Sequence, residues 1–227
     1  MKLSSLMSVL ALVALAACDD DPLGARPTAR VRIVNAANTH ASVGAFLGAA
    51  QLGTDVAFQA ASACATITLP TGQHVISFRN TGSPTQVASV QHTFVENRDY
   101  LIVLMSNPSR AAVFEEQEFP APAATFNAIR LVNATATAGD VYVTTAAGAP
   151  TTAIALASGA STTGTVYRDF GPTVTLVRLF DAGATTFASP RATHTIAATG
   201  THRTATVFLT PTITGGTATG FQVPRCA

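Results

Sequence analysis

From Arg30 onward, apolar and polar positions alternate with a period of two, the spacing of a half-buried β-strand. In Arg30 to Val34, Val31 and Ile33 share one face while Arg30 and Arg32 take the other. Further strands are predicted over Val43 to Leu47, Val56 to Phe58, Ala65 to Leu69, His74 to Phe78, Val87 to Phe94 and Tyr100 to Met105. Turn-forming stretches separate them: Pro70-Thr71-Gly72, Asn80-Thr81-Gly82-Ser83-Pro84 and Asn107-Pro108. The same texture continues through Asp140 to Val143, Thr152 to Leu156, Thr163 to Tyr167, Val174 to Phe180, Ala192 to Ala197, Arg203 to Thr210 and Gly220 to Val223. No segment keeps a helical period. Ala153 to Ala160 comes nearest, and Gly159 among threonines breaks it. Short strands with turn signals between them predict an all-β chain built as antiparallel sandwiches.

The pattern also repeats. Arg32-Ile33-Val34-Asn35-Ala36 returns as Arg130-Leu131-Val132-Asn133-Ala134, and Val75-Ile76-Ser77-Phe78-Arg79 as Val174-Thr175-Leu176-Val177-Arg178. Gln91-His92-Thr93-Phe94 is echoed by Thr193-His194-Thr195-Ile196. Repeats of this length predict two tandem sandwich domains, residues 29–114 and 126–227. Residues 115–125 join them: Glu115-Glu116-Gln117-Glu118 followed by Pro120 and Pro122 reads as a stiff, solvated linker. The second unit is richer in Thr, which predicts the thinner core.

The opening strand with its Arg-x-Val-Asn-Ala motif, followed after a short loop by Asp140-Val141-Tyr142-Val143, resembles the DUF4397 family of bacterial envelope proteins. The first unit carries the opening but has Ser42-Val43-Gly44-Ala45 at the second motif. The resemblance implies two secreted Ig-like β-sandwiches and implies no activity.

Before the repeats, Lys2 precedes an apolar run from Leu6 to Leu15, too short to span a bilayer comfortably. Leu15-Ala16-Ala17-Cys18 resembles the lipobox of bacterial lipoproteins. That resemblance implies residues 1–17 as a signal peptide, cleavage between Ala17 and Cys18, and acyl chains, palmitate among them, on Cys18. Two or more such chains anchor a soluble domain stably. An ordinary secretory signal cut at Ala14-Leu15-Ala16 is the alternative. Residues 18–28, with Asp19 to Asp21, Pro22, Gly24 and Pro27, read as a flexible tether. The expected location is the bacterial cell envelope, with the membrane and its face left open.

Composition changes the picture by exclusion. Charged residues are only 11% and Trp is absent. Without Lys2 the chain balances 12 Arg against 12 Asp plus Glu, so neither nucleic acid nor a cation store is suggested. Cys64 and Cys226 remain beside the anchor, and an exported even pair predicts a disulfide. Two free thiols, or a bond from Cys226 to another chain, are the alternatives.

Chemistry-bearing patterns are few. His40, His74, His92, His194 and His202 show no metal-ligand spacing, so no metal or cofactor is expected. No G-x-S-x-G elbow accompanies Ser158 or Ser161, no phosphate loop surrounds Gly215-Gly216, and the carboxylates are scattered or clustered in the linker. Asp99 beside Arg98, and Asp169 beside Arg168, read as solvated strand-end charges. Arg32 and Arg130 recur at one position and are the candidates for gripping a carboxylate or anionic sugar; pairing across the sheet, or solvating its outward face, serves the same placement. Tyr100, Tyr142 and Tyr167 are the only Tyr or Trp platforms for sugar stacking. The expectation is a membrane-anchored structural or adhesive protein without catalysis, engaging an envelope protein or glycan. The alternative is an envelope binding module for glycans or peptides.

Overall fold

The computed structural model describes residues 27–68, 72–106, 108–116, 127–144, 154–156, 168–169, 176–185, 190–196, 203–210 and 218–226. In the first half the strands are β1 (Thr28–Ala36), β2 (Ser42–Leu47), β3 (Ala50–Gln51), β4 (Val56–Ala57), β5 (Ala60–Ala61), β6 (Ala65–Thr68), β7 (His74–Asn80), β8 (Gln86–His92), β9 (Asp99–Met105) and β10 (Arg110–Glu116). The second half supplies β11 (Asn127–Asn133), β12 (Gly139–Thr144), β13 (Ile154–Leu156), β14 (Arg168–Asp169), β15 (Leu176–Asp181), β16 (Ala192–Thr195), β17 (Arg203–Leu209) and β18 (Ala218–Pro224). The described residues are all-β and contain no helix. The strand expected over Thr163 to Tyr167 lies outside them, as do residues 1–26 with Cys18.

One sheet runs β10-β9-β1-β5, with β6 also on β1; a second runs β3-β2-β7-β8, with β4 on β2. Side chains from both fill the space between: Val31, Ile33, Tyr100 and Ile102 from the first meet Val43, Ala45, Ile76 and Phe78 from the second. The second half repeats these pairings. β11 lies beside β17 and β17 beside β18, as β1 lies beside β9 and β9 beside β10; β12-β15-β16 repeats β2-β7-β8. Here β16 also pairs with β18, so one eight-stranded sheet, β13-β12-β15-β16-β18-β17-β11-β14, wraps a core of Ile129, Leu131, Val141, Val177, Leu179 and Val207.

Two expectations need correction. The sheets are mixed, not purely antiparallel: β1–β9, β11–β17 and β16–β18 pair in parallel. Alternation reports which face a residue takes and is silent on strand direction. Glu115 and Glu116 do not open a solvated linker but end β10, and Glu116 is buried. Ala111, Ala112 and two carboxylates dilute the alternation of that strand, which hides it in the sequence.

A third apolar cluster joins the halves. The outward faces of β1, β9 and β10 present Val34, Ala36, Leu101, Val103, Met105 and Phe114; they pack on Val132, Ala134, Phe208 and Val223 from β11, β17 and β18. The two halves of the chain therefore pack back to back across this cluster. This explains the recurring motif residue by residue. Ile33 and Leu131 point into their own unit. Arg32, Val34 and Ala36, like Arg130, Val132 and Ala134, lie on the alternate side, toward the other unit. Asn35 and Asn133 are fully buried and tie down the next turn. Asn35 donates to the carbonyls of His40 and Val56 and accepts from the amide of Ala37; Asn133 donates to Thr137 O and accepts from Thr135.

The Gly before Asp140-Val141-Tyr142-Val143 is also fixed by packing. A Cβ at Gly139 would lie 2.4 Å from the carbonyl oxygen of Phe180 and 2.7 Å from Leu179 Cδ1. Gly139→Ala is expected to destabilise the fold by ~1–3 kcal/mol, read from denaturant midpoints.

Candidate functional site

The parallel register sets the starts of β1 and β9 side by side, Arg30 opposite Asp99. β10 ends there, since Glu116 opposes Asp99. The loop from β8 arrives at the same pole, its Asn97 amide donating to Thr28 O. So does the C-terminal tail after β18, because Arg30 donates to Cys226 O. Between these segments opens a cleft of about 410 Å³ lined by Arg30, Asn97, Arg98, Asp99, Glu116 and Arg225. An adjoining hollow of about 340 Å³ reaches Thr28 and Thr66.

The cleft is built from ion pairs between distant parts of the chain. Arg30 grips Asp99 through two nitrogens, at 2.7 and 2.8 Å, and this pair holds the Arg30 pKa above its ordinary value. Arg225 approaches the same carboxylate at 3.6 Å. Arg98 pairs with Glu115 at 3.1 Å, and the Glu116 carboxylate accepts from the amide of Cys226 at 3.4 Å. Asp99 is buried, which corrects its reading as a solvated strand end. Arg98 points out; the next residue along the strand points in, where Arg30 and Arg225 meet it. Nothing local marks these partners, since they come together only through sheet pairing.

The tail is then locked covalently. Cys64 and Cys226 form the expected intramolecular disulfide, joining residues 162 apart. Arg32 reaches both ends of this lock: its guanidinium donates to Pro224 O and lies 2.9 Å from Cys64 Sγ. Arg130 makes the matching reach in the other direction. It is fully buried, donates to Glu115 O at 2.7 Å and lies over the Phe114 ring at 5.9 Å. Each arginine thus crosses the junction to the last strand of the other unit. The two do not converge on one site, and their guanidiniums bond main-chain carbonyls there. Gln59 crosses as well, at a φ of 59°, to Thr210 and Thr219.

The histidines at matched repeat positions are both packed. His92 meets Phe94 and Tyr100 edge-on, with centroids 4.9 and 5.1 Å apart, and His194 Nδ1 lies 2.9 Å from Gly220 O. Burial pushes both pKa values below the ordinary 6.5, against the carboxylate of Glu115 for His92 and against Gly220 and Gln222 for His194. The unfolded chain therefore binds more protons between the depressed and ordinary values. Their stabilisation is complete above about pH 6.5 and is lost as pH falls through the depressed values. The melting temperature is expected to drop between about pH 7 and pH 5, and a His92→Phe, His194→Gln variant to show a flatter profile in scanning calorimetry. An equally steep variant would assign the acid loss to other groups. Among the described residues no group of three or more His, Cys, Asp or Glu is placed to hold a metal ion.

No helix among the described residues is long and apolar enough to cross a membrane. No curated protein matches the chain. The family comparison does match: a family described as a domain of unknown function, DUF4397, covers residues 29–144, from β1 through the first unit to the end of β12. The match takes in both copies of the Arg-x-Val-Asn-Ala motif whose packing is given above, and it spans just over half of the 227 residues, so the chain belongs to the DUF4397 family.

Proposed function

We propose that the protein is a lipid-anchored component of the bacterial cell envelope with a structural or adhesive role and no catalysis. In this reading two tandem DUF4397 sandwiches of Ig-like type follow the signal peptide and tether. The observation that carries it is the back-to-back junction, an apolar interface closed by Cys64–Cys226. Such a junction makes one stiff body from two units, and its disulfide suits an oxidising compartment outside the cytoplasm. The polar groups of the cleft are directed to one another and to the tail, a use that favours holding the body together over turning over a substrate. Export with an acyl anchor on Cys18 predicts that Cys18→Ser abolishes both palmitate labelling and membrane partition; unchanged partition would remove the anchor. For the adhesive role, the chain from Asp19 onward is used as bait on native envelope extracts. Recovery of a specific envelope protein or glycan supports it, and a clean failure at high bait concentration counts against it.

A further inference from the structure

Three segments of the first unit meet at the pole opposite the cleft, beyond the ends of β1 and β9. The loop from β1 to β2 brings His40, the last residue of β7 is Asn80, and the turn from β9 to β10 carries Ser109. Asn80 and Ser109 lie 40 and 69 residues from His40 along the chain, yet the three side chains bond in series. His40 Nδ1 is 2.8 Å from Asn80 Oδ1, and His40 Nε2 is 2.8 Å from Ser109 Oγ. An amide oxygen only accepts, so Nδ1 carries a proton and donates it to Asn80. In the neutral ring the lone pair is then on Nε2, where it accepts the hydroxyl proton of Ser109. A serine hydroxyl on the free nitrogen of a histidine, whose other nitrogen is fixed by a third group, is an arrangement that activates a nucleophile.

The backbone around the relay is pinned. The His40 amide donates to Ala37 O at 3.1 Å, and its carbonyl accepts from the buried Asn35 at 3.0 Å. The Asn38 amide donates to Ser106 Oγ at 2.9 Å, and that hydroxyl donates to Asn38 Oδ1 at 2.8 Å, which ties the loop to the end of β9. Asn80 stands in the ladder opposite Val43, and its carbonyl accepts from the Ser83 amide. The fold does not require the relay. In the second unit Asn133 holds the carbonyl of Thr137 as Asn35 holds that of His40, so the matching turn closes with no imidazole. His40 and Ser109 are half-buried and Asn80 is exposed, so solvent reaches the group.

We infer that Ser109 is an acyl-acceptor site, with His40 as its general base and Asn80 as a positioning residue, and that it takes a small neutral acyl group from a carboxylic ester. Ser109 Oγ attacks the carbonyl carbon while its proton passes to His40 Nε2. The ester C–O bond then breaks, the leaving alkoxide takes that proton, and an alcohol departs from acylated Ser109. No member of the relay is an acid or a fixed cation, which suits a neutral ester. The size limit follows from the surroundings. Thr39, Thr81 and Pro108 are the exposed neighbours in the chain. The exposed large hydrophobic residues among those described, Val75 and Val95, lie at the start of β7 and after β8, away from Asn80 at the end of β7. A long acyl chain finds no such side chain here. The step consumes the serine, so it adds a modification site to the role proposed above and does not depend on the anchor.

The test treats the chain from Asp19 with p-nitrophenyl acetate and follows p-nitrophenolate release, intact mass and peptide mapping. A burst of one equivalent and one acetyl group on Ser109 are expected. His40→Gln should slow this acetylation about 100-fold. Asn80→Asp should speed it several-fold, because a carboxylate stabilises the imidazolium formed during attack, and misfolding cannot mimic a gain. Ser109→Ala should lose the burst at an unchanged melting temperature. No acetyl group on Ser109, acetylation spread equally over other serines, or a His40→Gln variant that reacts like wild type would overturn the site. An Asn80→Asp variant no faster than wild type would remove Asn80 from it. Steady release after the burst, absent in Ser109→Ala, would instead contradict the reading without catalysis while keeping Ser109 as the acceptor.

Discussion

Replacing both Cys64 and Cys226 by serine is expected to lower the unfolding free energy by ~5 kcal/mol. The bond spans 162 residues, so cutting it releases nearly the whole folded chain from one closed loop in the unfolded state. The tail has other holds, among them the Arg225–Asp99 pair, the bonds from Arg30 to Cys226 O and from Arg32 to Pro224 O, and the bond from the Cys226 amide to the buried Glu116, but each is a single polar contact. Such contacts contribute about 1–2 kcal/mol apiece and act only in the folded state, so none replaces the cross-link. Urea unfolding of the chain from Asp19 measures the difference, and wild type under reducing conditions should fall close to the variant. A loss below about 1 kcal/mol in both would mean that the unfolded chain gains little freedom from the cut, against the loop-closure argument.

The second large effect is expected at the junction. Phe208 is fully buried, stacks on Phe221 with centroids 5.3 Å apart, and belongs to the cluster that joins the two units. Phe208→Ala should cost ~3–5 kcal/mol, from lost transfer energy and the cavity left behind. Its location adds a second signature. Phe78 is equally buried but lies inside the first unit. Phe78→Ala is expected to lower the melting temperature of the whole chain, while Phe208→Ala weakens the coupling between units and should broaden or split the calorimetric transition. A single sharp transition in Phe208→Ala, with calorimetric and van't Hoff enthalpies equal, would show that the units are coupled by other contacts.

Much of this architecture can be read from residues alone, because local pattern and final packing agree. Val31 and Ile33 face inward as their alternation predicts, and the repeat of Arg-x-Val-Asn-Ala is matched by a repeat of sheet pairing. The exported-cysteine argument found the disulfide. What was not legible is what depends on partners far along the chain. The parallel pairing of β1 with β9 leaves no mark on alternation. The burial of Asp99 and Glu116 depends on Arg30 and on the backbone of the tail, which no local window contains. Arg32 and Arg130 drew notice through recurrence, and recurrence reported a real role; only the partners, carbonyls of the opposite unit, were hidden. The cleft itself is an outcome of where five chain segments end together.

The β1–β9 ladder has a mechanical consequence. Seven residue pairs, from Arg30–Asp99 to Ala36–Met105, run in parallel register. In the proposed anchored reading, the chain to the membrane leaves from the start of β1, and the far pole lies beyond the ends of β1 and β9. A pull between the membrane and something held at that far pole drags β1 one way and β9 the other, along their shared axis. The hydrogen bonds between them then carry the load together, in shear, and cannot be opened one at a time like a zip. Resistance of this kind grows with the number of rungs loaded at once. Were the body tethered through its first strand as proposed, it would gain a high rupture force from strand direction alone, with no change in its equilibrium stability.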